Sequence, residues 1–548
     1  MAQTIPVPAE AADVARPAHL RPAARHPTPP QGGLATWLLA FVLLFVAAGA
    51  WSLAAPLGSS PDEPAQLIRA ASLVRGQLVG RALPGSPGAQ GSIVVVQVPE
   101  VFAALANDVS CFDVDPWKPA GCQLPLGGST VDQPVETYVG RYPPLYYALV
   151  GLPTLAMVSV KGIYAARLVS AAVSAAMLAL AVVSVRRCRG RPLFGAGLSL
   201  AVTPMVLYLA GMLNPSGFEM SAAVAVFSGS LALASLPLQR VGPAVLAAVG
   251  VPAMCLMLVR SLAPLWVLAA LAVLVVLRPW PEVVALLRRR AVRWWMLAGV
   301  AAAGTGLAWD MTAGALRLQP GMAAPARGGE AAVLHAVMDR MHLIAVSSIG
   351  QFGWLDTPSP MGVVMAWAAG FGLLAALALL AARRRQVAAV VGTGLAWAGF
   401  CFLFVWAMVP THGLVGQGRD FLGLAAGMPL VAGVCVRPSA LPGGLRSLAG
   451  AARYVLPFGA AVCQVADFYW VLRRYDVGLK GPLDPFAHVP GGWAPPVPGP
   501  VLVALFVAAV SGTALVLAAL GANAGPTVAW HRSRSPSEPP PPWPDWAP

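Results

Sequence analysis

Apolar runs long enough to cross a bilayer, separated by short polar breaks, recur along this chain from residue 34 to residue 520. The first is "LATWLLAFVLLFVAAGAWSLAAP", which predicts a helix over 34–55. Further helices are predicted over 162–185, 193–211, 217–237, 243–259, 265–277, 294–310, 362–382, 387–409, 421–436, 454–472 and 501–520. The stretch "PPLYYALVGLPTLAMVSV" (143–160) is short and broken by proline, and is either a crossing or a segment that dips in and returns. The pattern is that of an all-α polytopic membrane protein with about twelve crossings, or thirteen if 143–160 spans. The short alternating segments of a membrane barrel are absent.

One segment outside these runs has a helical period. In "GSSPDEPAQLIRAASLVRG" (58–76), Ser60 reads as an N-cap, Pro61 as the first helical position and Glu63 as the reach-back partner of a capping box. Leu67, Ala70, Ala71, Val74 and Leu78 then recur at helical spacing with Arg69 and Arg75 between them, which predicts a juxtamembrane helix lying along the interface.

Composition narrows the class. Hydrophobic residues make up 57% of the chain and charged residues 11%, against about 25% charged in soluble domains. A net charge of +14 raises the question of nucleic acid. The arginines answer it, because they sit in short clusters between apolar runs with no basic face interleaved with aromatics. Residues 1–33 lack an apolar period and read as a disordered leader, and 521–548 end in a proline-rich tail that reads the same way. The first apolar run is too long for a signal-peptide core and is retained.

The arginine clusters also orient the chain. With the N-terminus in the cytoplasm and 143–160 not crossing, "RRCRGR" (186–191), "RRRAVR" (288–293), "RRR" (383–385), Arg437, Arg446 and Arg453 all fall inside. Only Arg473 and Arg474 break the rule. This leaves 56–142 as a large first extracytoplasmic loop of the transmembrane domain 34–520. Cys111 and Cys122 share that loop, where a disulfide would persist. Of the other cysteines, Cys255, Cys401, Cys435 and Cys463 fall in or beside helices, and Cys188 falls in a cytoplasmic loop.

In this topology the unusual polar motifs gather at one leaflet. They are Asp62 and Glu63; "GRYPPLYY" with Arg141 and Tyr142; "GMLNPSGFEM" with Asn214 and Glu219; "IGQFGWLDTPSP" with Trp354 and Asp356; and "PTHGLVGQGRDFLG" with Gln417, Arg419 and Asp420. Each has a plain alternative, such as a helix start for Asn214 or a surface charge pair for Arg419 and Asp420. Their grouping favours chemistry, since ionisable groups at a membrane cavity are costly and tend to be functional. His335, His342 and His412 show no metal-ligand spacing.

The order of "PDEPAQLIRAASLVRG", "RYPPLYYALVGLP", "NPSGFEM", "QFGWLDTPSP" and "GQGRDFLG" resembles a bacterial family of predicted multipass membrane proteins of unknown function. That family is in turn similar to the GT-C superfamily of lipid-dependent glycosyltransferases. The resemblance covers roughly residues 34–520 and is most specific at "QFGWLD" and "QGRDFL". Gln66 stands where the family usually has a histidine, three residues after the acid pair. Tyr142 stands where some GT-C enzymes carry a basic or imidazole side chain, with Arg141 as a neighbouring substitute.

What the resemblance implies is transfer of a sugar from a polyprenyl-phosphate carrier to a glycan, lipid or protein acceptor on the outer side, with inversion. Such a reaction needs a carboxylate to take the acceptor's proton and cations to hold the phosphate. Asp62 is the expected base, with Glu63 beside it as the second catalytic acid and capping partner. Arg419 is the expected phosphate ligand, with Arg141 second. Tyr142, Asn214, Glu219, Asp356 and Gln417 are expected to contact substrate, with Trp354 stacking on a sugar. Magnesium or manganese held by Asp62 and Glu63 would suit hard oxygen ligands, although no spacing demands it. Two other classes remain open: a transporter or flippase for a lipid-linked or polyanionic precursor, and a non-catalytic scaffold of envelope assembly.

Overall fold

The computed structural model describes residues 32–82, 93–105, 111–188, 190–315, 330–487 and 489–522. The leader and tail lie outside these residues, except at their inner edges, which belong to flanking helices. Arg189 of the first arginine cluster also lies outside. The described chain is a bundle of apolar helices with a small sheet at one end.

Among the described residues, seven helices are long and apolar enough to cross a membrane, or eight if one bent pair counts as a single span. They include α1 (Gly33–Ala54), α4 (Val160–Arg187) and α5 (Pro215–Ser235), with the shorter α2 (Glu63–Val74) and α3 (Pro144–Ala156) between α1 and α4. Of these, α2 and α3 fall short of the length test. With Pro243–Val259, Ala263–Leu277, Arg290–Trp309 and the pair Gly418–Ala425 and Gly427–Cys435 added, the expected dozen fits. Helix α5 is buried along its whole length. Its run of Ala, Gly and Ser lets neighbouring backbones approach closely, as membrane helix packing requires.

Three expected helices take a different form. The run over 193–211 divides into Phe194–Ala201 and Pro204–Gly211, bent by 58°. Pro204 has no N–H and disfavours helical geometry at Thr203. Side chains from other helices answer the freed carbonyls: Gln464 donates to Val202 O at 2.9 Å and Trp367 to Leu200 O at 3.1 Å. The run over 421–436 becomes α6 (Gly418–Ala425) followed by Gly427–Cys435, and the run over 454–472 extends into the 34-residue α7 (Gly443–Asp476).

The stretch 143–160 returns to the end it started from. Helix α3 has 13 residues, about 20 Å of rise against a hydrocarbon core of about 30 Å. It runs alongside α2, with Tyr147 on Gln66 and Thr154 on Arg75. Gly151 passes so close to the Ala70 carbonyl that an added Cβ would lie 2.5 Å from it. Arg167, early in α4, bonds the carbonyls of Ser52, Ala55 and Pro56 at the end of α1. The start of α4 therefore sits beside the end of α1, so the chain between them begins and ends at one end of the bundle. The arginine-rich loops collect at the opposite end: Arg437 bonds Ala381 O, Arg385 bonds Arg278 O, and Arg289 bonds Val241 O and Leu238 O.

Helix α2 departs from the interfacial expectation. Glu63 through Leu73 are all buried, and the helix ends at Val74, before Leu78. Its arginines are internal ties rather than a solvated face. Arg69 bonds the carbonyls of Leu78 and Tyr142, and Arg75 those of Ala71 and Thr154. The helix also begins later than expected: the N-cap is Asp62 rather than Ser60, and proline enters at Pro64 rather than Pro61.

Above α2 lies a three-stranded antiparallel sheet of β1 (Arg81–Ala82), β2 (Val94–Pro99) and β3 (Asp132–Thr137), with Val94 opposite Thr137. Cys111 and Cys122 form a disulfide in the loop between β2 and β3. That loop docks on the end of α7, where Arg474 donates to the carbonyls of Phe112, Asp115 and Lys118. Arg473 is likewise held by the carbonyls of Leu479, Gly481 and Pro482. The two arginines that break the charge rule are thus loop anchors. Replacing both loop cysteines with serine is expected to cost about 2 kcal/mol, read as a lower thermal midpoint of the purified protein that reductant does not lower further.

Candidate functional site

Asp62 is held at the site by backbone geometry as much as by its side chain. It sits in the left-handed region, φ 63 and ψ 1, between the turn Pro56–Ser59 and helix α2. Few residues other than glycine adopt this conformation, and Asp and Asn are among those that do. Such strain concentrates at functional sites.

Two side chains from distant elements meet the Asp62 carboxylate. Tyr138, the residue after β3, donates to Oδ1 at 2.6 Å. Arg419, at the start of α6, donates from Nη2 to Oδ2 at 2.8 Å across 357 residues of sequence. Thr137 fixes the end of the strand by bonding Ala65 O of α2. The start of α6 is fixed by Gly418, whose N–H bonds Ser347 Oγ at 3.0 Å. A side chain there would strike the Ser348 backbone at 2.2 Å, so only glycine allows the approach. Asp420 caps α6 by accepting from Gln417 N at 2.9 Å. Arg419 and Asp420 are thus not a pair with each other: one side chain faces Asp62 and its neighbour closes the helix.

The Asp62 side chain is 31% exposed and that of Arg419 10%. The carboxylate keeps open lone pairs, while Arg419 Nη1 is buried with no hydrogen-bond partner among the described residues. A buried donor left unanswered costs about 1–3 kcal/mol. Burial, and after it the Asp62 charge, pushes the Tyr138 phenol well above its usual range, which keeps it a neutral donor.

The acid pair separates. Glu63 is fully buried and meets Arg167 through two contacts of 2.6 Å, with Leu213 N at 3.3 Å and Ser60 N at 3.4 Å. Its oxygens face the helix bundle, away from any acceptor. Glu63 therefore belongs to the scaffold, correcting its expected place beside Asp62 in catalysis.

The remaining expected residues divide in the same way. Tyr142 stays at the site: its phenol faces Arg260, Asp62, Arg419 and Asp420, and Arg260 lies over its ring at 5.8 Å. Arg141 donates to Ala313 O at 2.8 Å, and its own carbonyl accepts from Trp309. Trp354 is half-buried and bonds Gly58 O at 3.0 Å, tying its loop to the turn before Asp62. Gln417 is the N-cap residue of α6, and its N–H is held by Asp420.

Three residues expected to contact substrate instead make structural bonds. Asn214 caps α5 through Ser216 N and donates to Pro61 O, so it braces the Asp62 turn. Glu219 is occupied by Arg260 at 2.9 Å and the Trp266 indole at 2.9 Å. Asp356 is paired with Arg474 at 2.6 Å, both side chains nearly fully buried. In each case the oxygens a sugar would need are already bonded.

Tyr138, Arg167 and Asp310 escaped the sequence reading. Arg167 carried a signal, a lone cation inside an apolar run. So did Asp310, a buried acid at the end of Arg290–Trp309. Tyr138 carried none, because only the sheet brings it to Asp62.

The donor set does not fit the magnesium or manganese site expected from Asp62 and Glu63. A hard cation takes about six oxygen ligands. Here Asp62 is already bonded to a guanidinium and a phenol, and Glu63 is turned inward. Among the described residues no group of three His, Cys, Asp or Glu converges. A small apolar cavity lined by Leu44, Leu178, Leu207 and Pro457 lies within the bundle and contains none of the site residues.

The family described as predicted membrane protein (DUF2142) matches residues 43–428. No curated protein matches the chain. Among solved structures, ArnT from Cupriavidus metallidurans bound to undecaprenyl phosphate is 12% identical with a TM-score of 0.41, covering 90% of this chain and 77% of its own. The Archaeoglobus fulgidus oligosaccharyltransferase complex with Zn and sulfate is 12% identical with a TM-score of 0.33, covering 88% of this chain and 61% of its own. At these TM-scores neither likeness carries weight for the fold or chemistry of this chain.

Proposed function

The chain belongs to the DUF2142 family of predicted membrane proteins, and on that premise we propose that it is a GT-C-like glycosyltransferase. Its reaction moves a sugar from a polyprenyl-phosphate carrier to a cell-envelope acceptor on the extracytoplasmic side of the bacterial inner membrane. The observation that carries this reading is the Asp62–Arg419 contact, which sets a reachable carboxylate beside a buried guanidinium that still has a donor to give. The collection of arginine-rich loops at the other end of the bundle supports a cytoplasmic placement of that end.

In the proposed step the acceptor hydroxyl oxygen bonds to the sugar's anomeric carbon. The bond from that carbon to the phosphate oxygen breaks, and its electron pair leaves with the polyprenyl phosphate. The hydroxyl proton passes to Asp62, while Arg419 meets the charge that builds on the leaving oxygen. Tyr142, with Arg260 over its ring, lies nearby, and Tyr138 holds the carboxylate in line.

The test is release of polyprenyl phosphate from polyprenyl-phosphate sugars by the purified protein, with envelope glycolipids as acceptors. Acceptor-dependent release supports the reading. Movement of the intact lipid-linked sugar across proteoliposomes, without cleavage, would replace it with the transporter reading. Tyr138→Phe is expected to reduce turnover about tenfold, matching the loss of about 1.5 kcal/mol for a hydrogen bond to a charged group. The Michaelis constant for the donor should change little, which a kcat-against-KM comparison would show.

A further inference from the structure

We propose that the transfer site works without a divalent ion, and that Arg419 stands in the place such an ion would take. One Nη holds Asp62 and the other receives the donor's phosphate. This inference rests on the glycosyl-transfer reading above and adds the means by which phosphate is bound.

The argument starts from the oxygens within reach. Asp62 gives Oδ2 to Arg419 and Oδ1 to Tyr138. Glu63 gives both oxygens to Arg167. Asp420 gives Oδ2 to the Gln417 amide, and Glu219 divides its oxygens between Arg260 and Trp266. Gln66, where a histidine would supply a nitrogen ligand, instead accepts from the Tyr147 hydroxyl. A divalent ion on Asp62 would have to sit beside the positive charge of the guanidinium that lies 2.8 Å from the same carboxylate.

The guanidinium already has the connectivity the ion would provide. Its planar fork can bond two anions at once. Nη2 lies 2.8 Å from Asp62, and Nη1 is buried and unanswered among the described residues. A phosphate oxygen accepted by Nη1 would be held next to the base, where the acceptor hydroxyl must also arrive.

The two arrangements respond in opposite ways to loss of the Asp62 charge. If an ion bridged Asp62 and phosphate, Asp62→Asn would weaken lipid-phosphate binding. If Arg419 is the bridge, the same change removes a negative neighbour of the phosphate and leaves the guanidinium in place. The experiment is binding of undecaprenyl phosphate to the full chain in lipid nanodiscs, by native mass spectrometry, in EDTA and then in magnesium or manganese. The expected result is affinity equal within about twofold in the three conditions. Asp62→Asn should bind about tenfold tighter, and Arg419→Gln about tenfold weaker. Binding that needs a divalent ion, or that falls in Asp62→Asn, overturns the inference and leaves the glycosyl-transfer reading standing. Absence of binding in every condition overturns both. Should Arg419→Gln fail to fold, the chelator comparison and Asp62→Asn still decide.

Discussion

Asp62→Asn is expected to reduce glycosyl transfer by about 10²–10⁴-fold, the usual contribution of a positioned general base, while the protein remains folded. The conformational half of this expectation follows from the left-handed backbone at φ 63, which asparagine tolerates nearly as well as aspartate. The amide oxygen can still accept from Tyr138. The amide nitrogen cannot accept from Arg419, so one partly exposed bond is lost, at a cost of about 1 kcal/mol. Asp62→Ala is the poorer probe, because it loses the same base and adds strain at the left-handed position. Thermal unfolding in detergent and transfer from a polyprenyl-phosphate sugar, measured on one preparation, would check both halves. An Asp62→Asn protein with unaltered transfer would remove Asp62 from the chemistry and favour a scaffold.

Glu63→Gln is expected to do the reverse. Glu63 and Arg167 are both fully buried and meet through two 2.6 Å contacts. Removing the carboxylate charge leaves the guanidinium enclosed with only the carbonyls of Ser52, Ala55 and Pro56. Breaking one side of a buried pair costs about 3–5 kcal/mol. The retained carbonyls put this case near the lower end, about 3 kcal/mol. Because α1, α2 and α4 are joined through this pair, the loss should appear as a lower thermal midpoint and reduced yield, with turnover per folded molecule changed much less than in Asp62→Asn. A stable Glu63→Gln protein devoid of transfer would return Glu63 to the catalytic group. The two neighbouring acids thus give opposite signatures, one in chemistry and one in folding.

The hydrophobic pattern by itself determined a great deal. Crossing length and continuous apolarity are local properties, so the spans were legible, as was the collection of arginines at one end of the bundle. The motifs that meet at the site were legible too, Asp62 and Arg419 among them, because charged residues at the ends of apolar runs stand out. Helix details failed where a local rule met a tertiary partner. Ser60 has the chemistry of an N-cap, but the chain turns again at Asp62 because the carboxylate is drawn to Tyr138 and Arg419. The period of α2 suggested one wet face, yet the sheet and α3 enclose it and its arginines bond carbonyls instead of water.

Only the tertiary structure decided which polar residues are available to a substrate. A carboxylate looks alike in the sequence whether its oxygens are open or bonded. Glu63, Glu219 and Asp356 are each paired with an arginine, at Arg167, Arg260 and Arg474. In a medium that solvates charge poorly, an acid left without a partner would be far costlier than one that is paired. Asp62 differs from them by exposure: its side chain is 31% exposed and bonded to an arginine with a donor unanswered among the described residues. That difference depends on contacts between residues hundreds of positions apart, and no local pattern encodes it.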